Sequence, residues 1–178
     1  NSLIPYFAYQ FFYESIAKNK DCLILYSDED QINKNKKRHN PNFKSSWNRE
    51  LFLSNPNFGE VWVISSKIWN KALKQAIEVY NASNFKIVLL ICIYLCDTHK
   101  NKKKNIFHLP IIGFHKKQEI NGNKPNYIDN EYKRFLYNFI NKKWKKLGEI
   151  RSIEINTYKT GLKLFWSVPK SSLLSILI

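Results

Sequence analysis

Acidic residues are in short supply in this chain: 14 Asp and Glu stand against 29 Lys and Arg, a formal net charge of +15. Cysteine is scarce too, limited to Cys22, Cys92 and Cys96. An odd count without framework spacing excludes a disulfide scaffold. Cys92 and Cys96 lie four apart in an apolar run and could share one helix face, but no histidine or further cysteine pair completes a zinc site. Buried, reduced thiols are expected. Long hydrophobic runs are also missing. The strongest, residues 87–95, is too short to span a bilayer. No internal repeat, RNA-binding aromatic motif, zinc finger or helix-turn-helix pattern is visible.

What is present argues for a folded chain. Its 178 residues are 44% hydrophobic and 15% aromatic, enough for one domain with a sizeable core. The positive charge fits an anionic partner: nucleic acid, a membrane surface or a phosphorylated ligand. A second explanation stays open, because Lys, Asn and Ile are abundant together, as AT-rich coding would give. No signal-peptide pattern is visible, and the expectation is a cytoplasmic protein, peripheral at the inner face of the cytoplasmic membrane. The first residue is Asn1 and the last segment, 173–178, is apolar; both ends are expected to be cut from a longer chain.

Along the chain, Leu3, Phe7, Ala8, Phe11, Phe12 and Ile16 form a helical stripe over 3–18, with Pro5 in the first turn. Residues 22–26 have the length of a strand, ending at Ser27-Asp28-Glu29-Asp30. Residues 31–42 are polar and basic, and read as a loop. A short helix or turn is predicted near Ser46, and Asn55 to Gly59 marks a turn. A strand over 60–65 leads to a helix from Ser65 or Ser66 to about Tyr80, with Ile68, Trp69, Ala72, Leu73, Ala76 and Ile77 inward. Residues 85–95 read as a buried helix and 100–104 as a charged loop. Residues 106–114 form a strand that Pro110 confines to an edge or makes irregular. After a polar linker, Asp129 caps an amphipathic helix over 129–147, with Tyr132, Phe135, Leu136, Phe139, Ile140 and Trp144 on its stripe and Gly148 as its stop. Short apolar stretches follow at 150–155, 162–168 and 173–178. The lysine-rich segments 34–38 and 142–146 read as solvated charge. The second flanks Trp144 and also suits an anionic membrane surface.

Three segments, in order, carry a resemblance. They are Leu25-Tyr26-Ser27-Asp28-Glu29-Asp30-Gln31-Ile32, then Asn40-Pro41-Asn42-Phe43-Lys44-Ser45-Ser46-Trp47-Asn48 with Leu51 to Asn57 behind it, and His108-Leu109-Pro110-Ile111-Ile112-Gly113-Phe114-His115-Lys116. Together they resemble bacterial family 2 glycosyltransferases with tandem catalytic domains, of the type that builds surface polysaccharides. The resemblance implies an α/β fold, the acceptor-side half of a Rossmann-like GT-A domain over 1–117. A connector over 118–172 containing the helix would follow, and the first strand of a next domain over 173–178. It implies a nucleotide-diphospho-sugar donor, a polysaccharide or lipid-linked glycan acceptor, and a divalent metal, manganese or magnesium. The donor-binding half with its Asp-x-Asp motif would lie upstream of residue 1.

Such transfer needs a positive group to stabilise the leaving diphosphate and a carboxylate to take the proton of the acceptor hydroxyl. Asp28, Glu29 and Asp30 are candidates for acceptor binding or metal support, with a solvated turn as the alternative. His115, Lys116 and Lys117 are candidates for the diphosphate, although the family's Trp-Arg is replaced by the two lysines, which lack the guanidinium fork. Lys44 and Trp47 are candidates for sugar contact, against a Trp buried under the loop. His108, among apolar residues, reads as structural. The family's Gln-Asp-Tyr-Asp-Leu segment aligns with 83–89, which puts Phe85 and Ile87 at the base positions, and neither can accept a proton. No catalytic residue or metal ligand is therefore assigned. Two other readings remain: a basic nucleic-acid-binding module, and a non-catalytic membrane-surface interaction domain.

Overall fold

A computed structural model of the chain describes residues 2–55, 59–81, 84–98, 105–117, 130–145, 148–155 and 161–168. It is a mixed α/β structure. In chain order the elements are α1 (Tyr6–Lys18), β1 (Ile24–Ile32), β2 (Arg38–Asn42), α2 (Arg49–Ser54), β3 (Trp62–Ile64) and α3 (Ser66–Tyr80). They continue with α4 (Phe85–Asp97), β4 (Ile106–Lys117), α5 (Asn130–Lys143), β5 (Ile150–Ile155) and β6 (Leu162–Trp166).

β1 organises the sheet. It pairs along one edge with β3 at its start and β2 at its end, both antiparallel. Its other edge pairs in parallel with β4 over its whole length. Leu3 bridges to His115 on the far side of β4. Alternation along the strand separates two packings. Leu25 meets Ala8 and Phe12 of α1. Ile24 and Tyr26 face the larger core built by α2, α3, α4 and α5 together with the β5–β6 hairpin. α4 is apolar all round and lies inside that core, with Ile87 to Ile93 and Cys96 buried. α5 lays Tyr132, Leu136, Phe139 and Ile140 against it. Asn141 fixes the following hairpin, accepting from Ile150 N–H at 2.7 Å and donating to its carbonyl at 3.0 Å.

Several sequence expectations are corrected. The strand does not stop before the acidic run: β1 continues through Asp28, Glu29 and Asp30 to Ile32. Residues 31–42 are not a loop but the end of β1, a tight turn and β2. Residues of β2 are mostly exposed, so backbone pairing, not apolar alternation, holds this strand. The short helix begins at Arg49, three residues beyond Ser46, where Asn48 accepts from Leu51 N–H at 2.7 Å. The α1 stripe buries only Ala8 and Phe12; Phe7, Phe11 and Ile16 are exposed. Pro5 occupies the N-cap position, one residue before the first turn. The predicted helices over 66–80 and 85–95 are present. The cap at Asp129, the charged loop 100–104 and the final strand 173–178 lie outside the described residues.

β4 is irregular as Pro110 requires. Its register against β1 shifts between Ser27 and Asp28 and again before Glu29. Gly113 sits at that irregularity. A Cβ there would lie 2.4 Å from Ser27 Oγ and 2.9 Å from Phe12 Cζ, so a larger residue would force the Ser27 and Phe12 side chains to shift.

Candidate functional site

Tyr26, Asp28 and Asp30 occupy alternate positions of β1, so the pleat turns them to one side of the sheet. Two histidines from β4 meet them there. His108 stands opposite Tyr26 in the register and stacks on its ring, with centroids 5.1 Å apart and planes at 25°. Its Nε2 lies 2.8 Å from Asp28 Oδ1. His115 stands opposite Asp30 and its Nδ1 contacts Asp30 Oδ1. An ionised carboxylate only accepts, so in both pairs the imidazole N–H donates, which fixes each ring's orientation.

Asp28 and Asp30 are buried and Glu29 is half-buried, and each is hydrogen-bonded by protein donors, which is what allows three acids in sequence on a strand. Asp28 also accepts from Lys44 N–H at 2.7 Å. Asp30 accepts from Arg38 Nε at 2.7 Å. Glu29, on the other side of the pleat, accepts from Lys44 Nζ at 2.9 Å, Asn42 Nδ2 at 3.1 Å and Glu60 N–H at 3.0 Å. Gly59 (φ +130°) brings the chain close to Glu29 and Lys44, with the space for a Cβ only 3.3 Å from Lys44 Cε. Lys116 Nζ reaches Glu60 at 2.9 Å. The segment 43–48 covers this end of the sheet: the Tyr26 hydroxyl donates to the Ser45 carbonyl at 2.7 Å. Burial, and then the Asp28 charge, push the Tyr26 phenol up from its ordinary value, so it remains a neutral donor.

The arrangement therefore joins the first and third resemblance segments, 80 and 85 residues apart, into one cluster. Lys44 of the second segment enters through its backbone and its ammonium group. Trp47 is half-buried, with Tyr26 6.4 Å and Phe52 5.6 Å from it, centroid to centroid. Lys117 lies at the exposed end of β4. His108, read from sequence as structural, is a member of the cluster, and Arg38, read as solvated charge, is Asp30's ion-pair partner. The period-two spacing of Tyr26, Asp28 and Asp30 was the one available signal for a strand that continues into the acids. Phe85 and Ile87 lie away from the cluster: Ile87 is in the core of α4, and Phe85 packs 5.9 Å from Trp69.

A metal fits this set poorly. The three carboxylates are already engaged by protein donors, and among the described residues no group of three or more His, Cys, Asp or Glu is disposed to hold a cation. Trp144, expected on the apolar stripe of its helix, is buried there, and its Nε1 donates to Asp97 Oδ2 at 3.0 Å. Among the described residues no single helix is long and apolar enough to cross a membrane. Compared with known proteins, the chain matches no family profile and no curated protein.

Proposed function

We propose that the chain is the acceptor-side half of a Rossmann-like, family 2 type glycosyltransferase domain, acting in transfer of a sugar from a nucleotide-diphospho-sugar to a glycan acceptor. The observation that supports this reading is the meeting of the Tyr-Ser-Asp-Glu-Asp segment with both histidines of the His-Leu-Pro segment, Asp28 with His108 and Asp30 with His115. Segments so far apart in sequence are joined in one buried cluster, as a shared site requires. In this reading Asp28 and His108 are the pair with the chemistry to take the acceptor's proton, since Phe85 and Ile87 cannot. Asp30, held by Arg38 and His115, is a positioning residue for the end of β4, where Lys117 supplies positive charge toward a diphosphate and Lys116 is held by Glu60. The divalent metal belongs, in this reading, to a donor-binding half outside these 178 residues, because the carboxylates here are occupied.

The test is sugar transfer with manganese from a panel of nucleotide-sugars, comparing this chain with a version carrying the residues encoded upstream. The longer version is expected to turn over and the present chain not. Asp28→Asn in the longer version is expected to lower kcat by roughly a hundredfold or more with little change in KM, the range for loss of a general base. Robust turnover by this chain alone would remove the incomplete-domain reading. An inactive longer version, correctly folded, would remove the enzyme reading.

A further inference from the structure

α1 leaves an unusual amount of aromatic surface in water: Tyr6 is 90% exposed, Tyr13 74%, Tyr9 58%, Phe11 44% and Phe7 43%. Leu3, just before it, is 51% exposed. Tyr6, Tyr9 and Tyr13 follow one another at helical spacing along one flank, and Phe7 and Phe11 along the other. The start of this helix lies at the basic end of the sheet. Leu3 pairs with His115, and the backbone N–H of Lys117 reaches Ser2 Oγ at 3.5 Å. Lys117 in turn stands opposite Ile32, where the β1–β2 turn begins. That turn is firmly built. Asn33 Oδ1 accepts from the N–H groups of Asn35 and Lys37, both at 2.9 Å, and Lys36 takes a left-handed conformation (φ 59°). It holds Lys34, Lys36 and Lys37 exposed on one short loop.

We infer that this end of the molecule is a docking surface for an anionic lipid bilayer. Tyrosine and phenylalanine rings suit the headgroup boundary, where an apolar body and a polar tip are both satisfied. Lysines beside them add attraction to anionic lipid. The carboxylates near the patch are paired: Glu14 on α1 faces Lys18 at 3.8 Å and accepts from Gln10, Glu60 is engaged by Lys116 at 2.9 Å, and Asp30 behind the turn is buried against Arg38 and His115. Two flanks of rings with lysines beside them combine apolar surface and positive charge, the pairing that an anionic bilayer surface takes up. The surface is separate from the lysines of α5, whose neighbour Trp144 is turned into the core. It does not depend on the glycosyltransferase reading.

The test is co-sedimentation of the full chain with phosphatidylcholine vesicles, with and without about a third phosphatidylglycerol. Binding is expected only with the anionic lipid and is expected to weaken with salt. Each lysine near the surface contributes about a fivefold factor, so Lys34→Gln, Lys36→Gln and Lys37→Gln together are expected to weaken binding about a hundredfold. Tyr6→Ser with Phe7→Ser is expected to abolish the salt-resistant part. These residues are exposed, so the circular dichroism of the variants should match that of the parent. Lys142→Gln with Lys143→Gln is the control and should bind unchanged. Equal binding to neutral vesicles, no binding to either, or a loss with the control pair equal to that of the turn variant would overturn the proposal. So would a concentration-dependent dimer that buries Tyr6 and Phe7 without any vesicle binding.

Discussion

At the scale of single residues, the cluster on β1 is a matter of donors matched to acids. Removing one donor leaves a buried oxygen unserved. His115→Ala strands one face of Asp30, and a loss of about 1–3 kcal/mol of stability is expected in urea unfolding. Arg38→Ala should cost less, because half of that side chain is already in water and solvent can replace it. Gly113 is constrained by space, not by φ. Gly113→Ala drives a methyl into Ser27 and Phe12, and a cost of about 1–3 kcal/mol is expected, partly recovered by Ser27→Gly, which removes the nearest atoms. The thiols give a pH prediction. Burial pushes Cys92 and Cys96 up to about 12 and Cys22 up to about 11. A raised thiol value means the folded state favours the neutral form. Its contribution is therefore fully present below the unfolded value and is lost as pH rises through 11 and 12. Alkylation at pH 8 followed by mass spectrometry should find Cys92 and Cys96 unlabelled in the folded chain and all three cysteines labelled in denaturant.

At the scale of elements, helices and strands differ in how much of them the sequence discloses. α3, α4 and α5 are legible because their apolar residues recur at the helical period and each has a core to face. β1 and β2 are legible only in part. Asp28 and Asp30 break apolar alternation, and what makes them tolerable is a set of donors from Arg38, across the hairpin, and from the more distant Lys44, His108 and His115. β2 has no apolar residue at all in Arg38–Asn42, so no pattern could announce it. α1 was over-read for the opposite reason: its aromatic residues recur on more than one face, and only Ala8 and Phe12 find a partner. Trp144 is legible as part of the α5 stripe, but its partner, Asp97, is 47 residues away and no local pattern discloses it. α4 offers a direct check. Phe85→Asp at its exposed start should leave the fold in place, whereas Ile87→Asp buries a lone carboxylate and should unfold the chain, read by circular dichroism.

At the scale of the whole molecule, α5 and the β5–β6 hairpin share one core with α3 and α4. Trp144, Asp97 and Arg49 tie the ends of α5, α4 and the start of α2 together. A single cooperative transition is therefore expected, with near- and far-ultraviolet circular dichroism changing together in urea; two separated transitions would place α5 in an independent unit. The long parallel pairing of β1 with β4 has a further consequence, for the chain as it is made. At bacterial or eukaryotic rates of about 5–20 residues per second, β1 leaves the ribosome several seconds before β4 does. During that interval Asp28 and Asp30 have no imidazole to accept from, and an unpaired strand edge is exposed. The β1–β2 turn closes within a few residues and needs nothing that comes later, so in the nascent chain it is this basic hairpin that covers one edge of β1 until His108 and His115 arrive at the other.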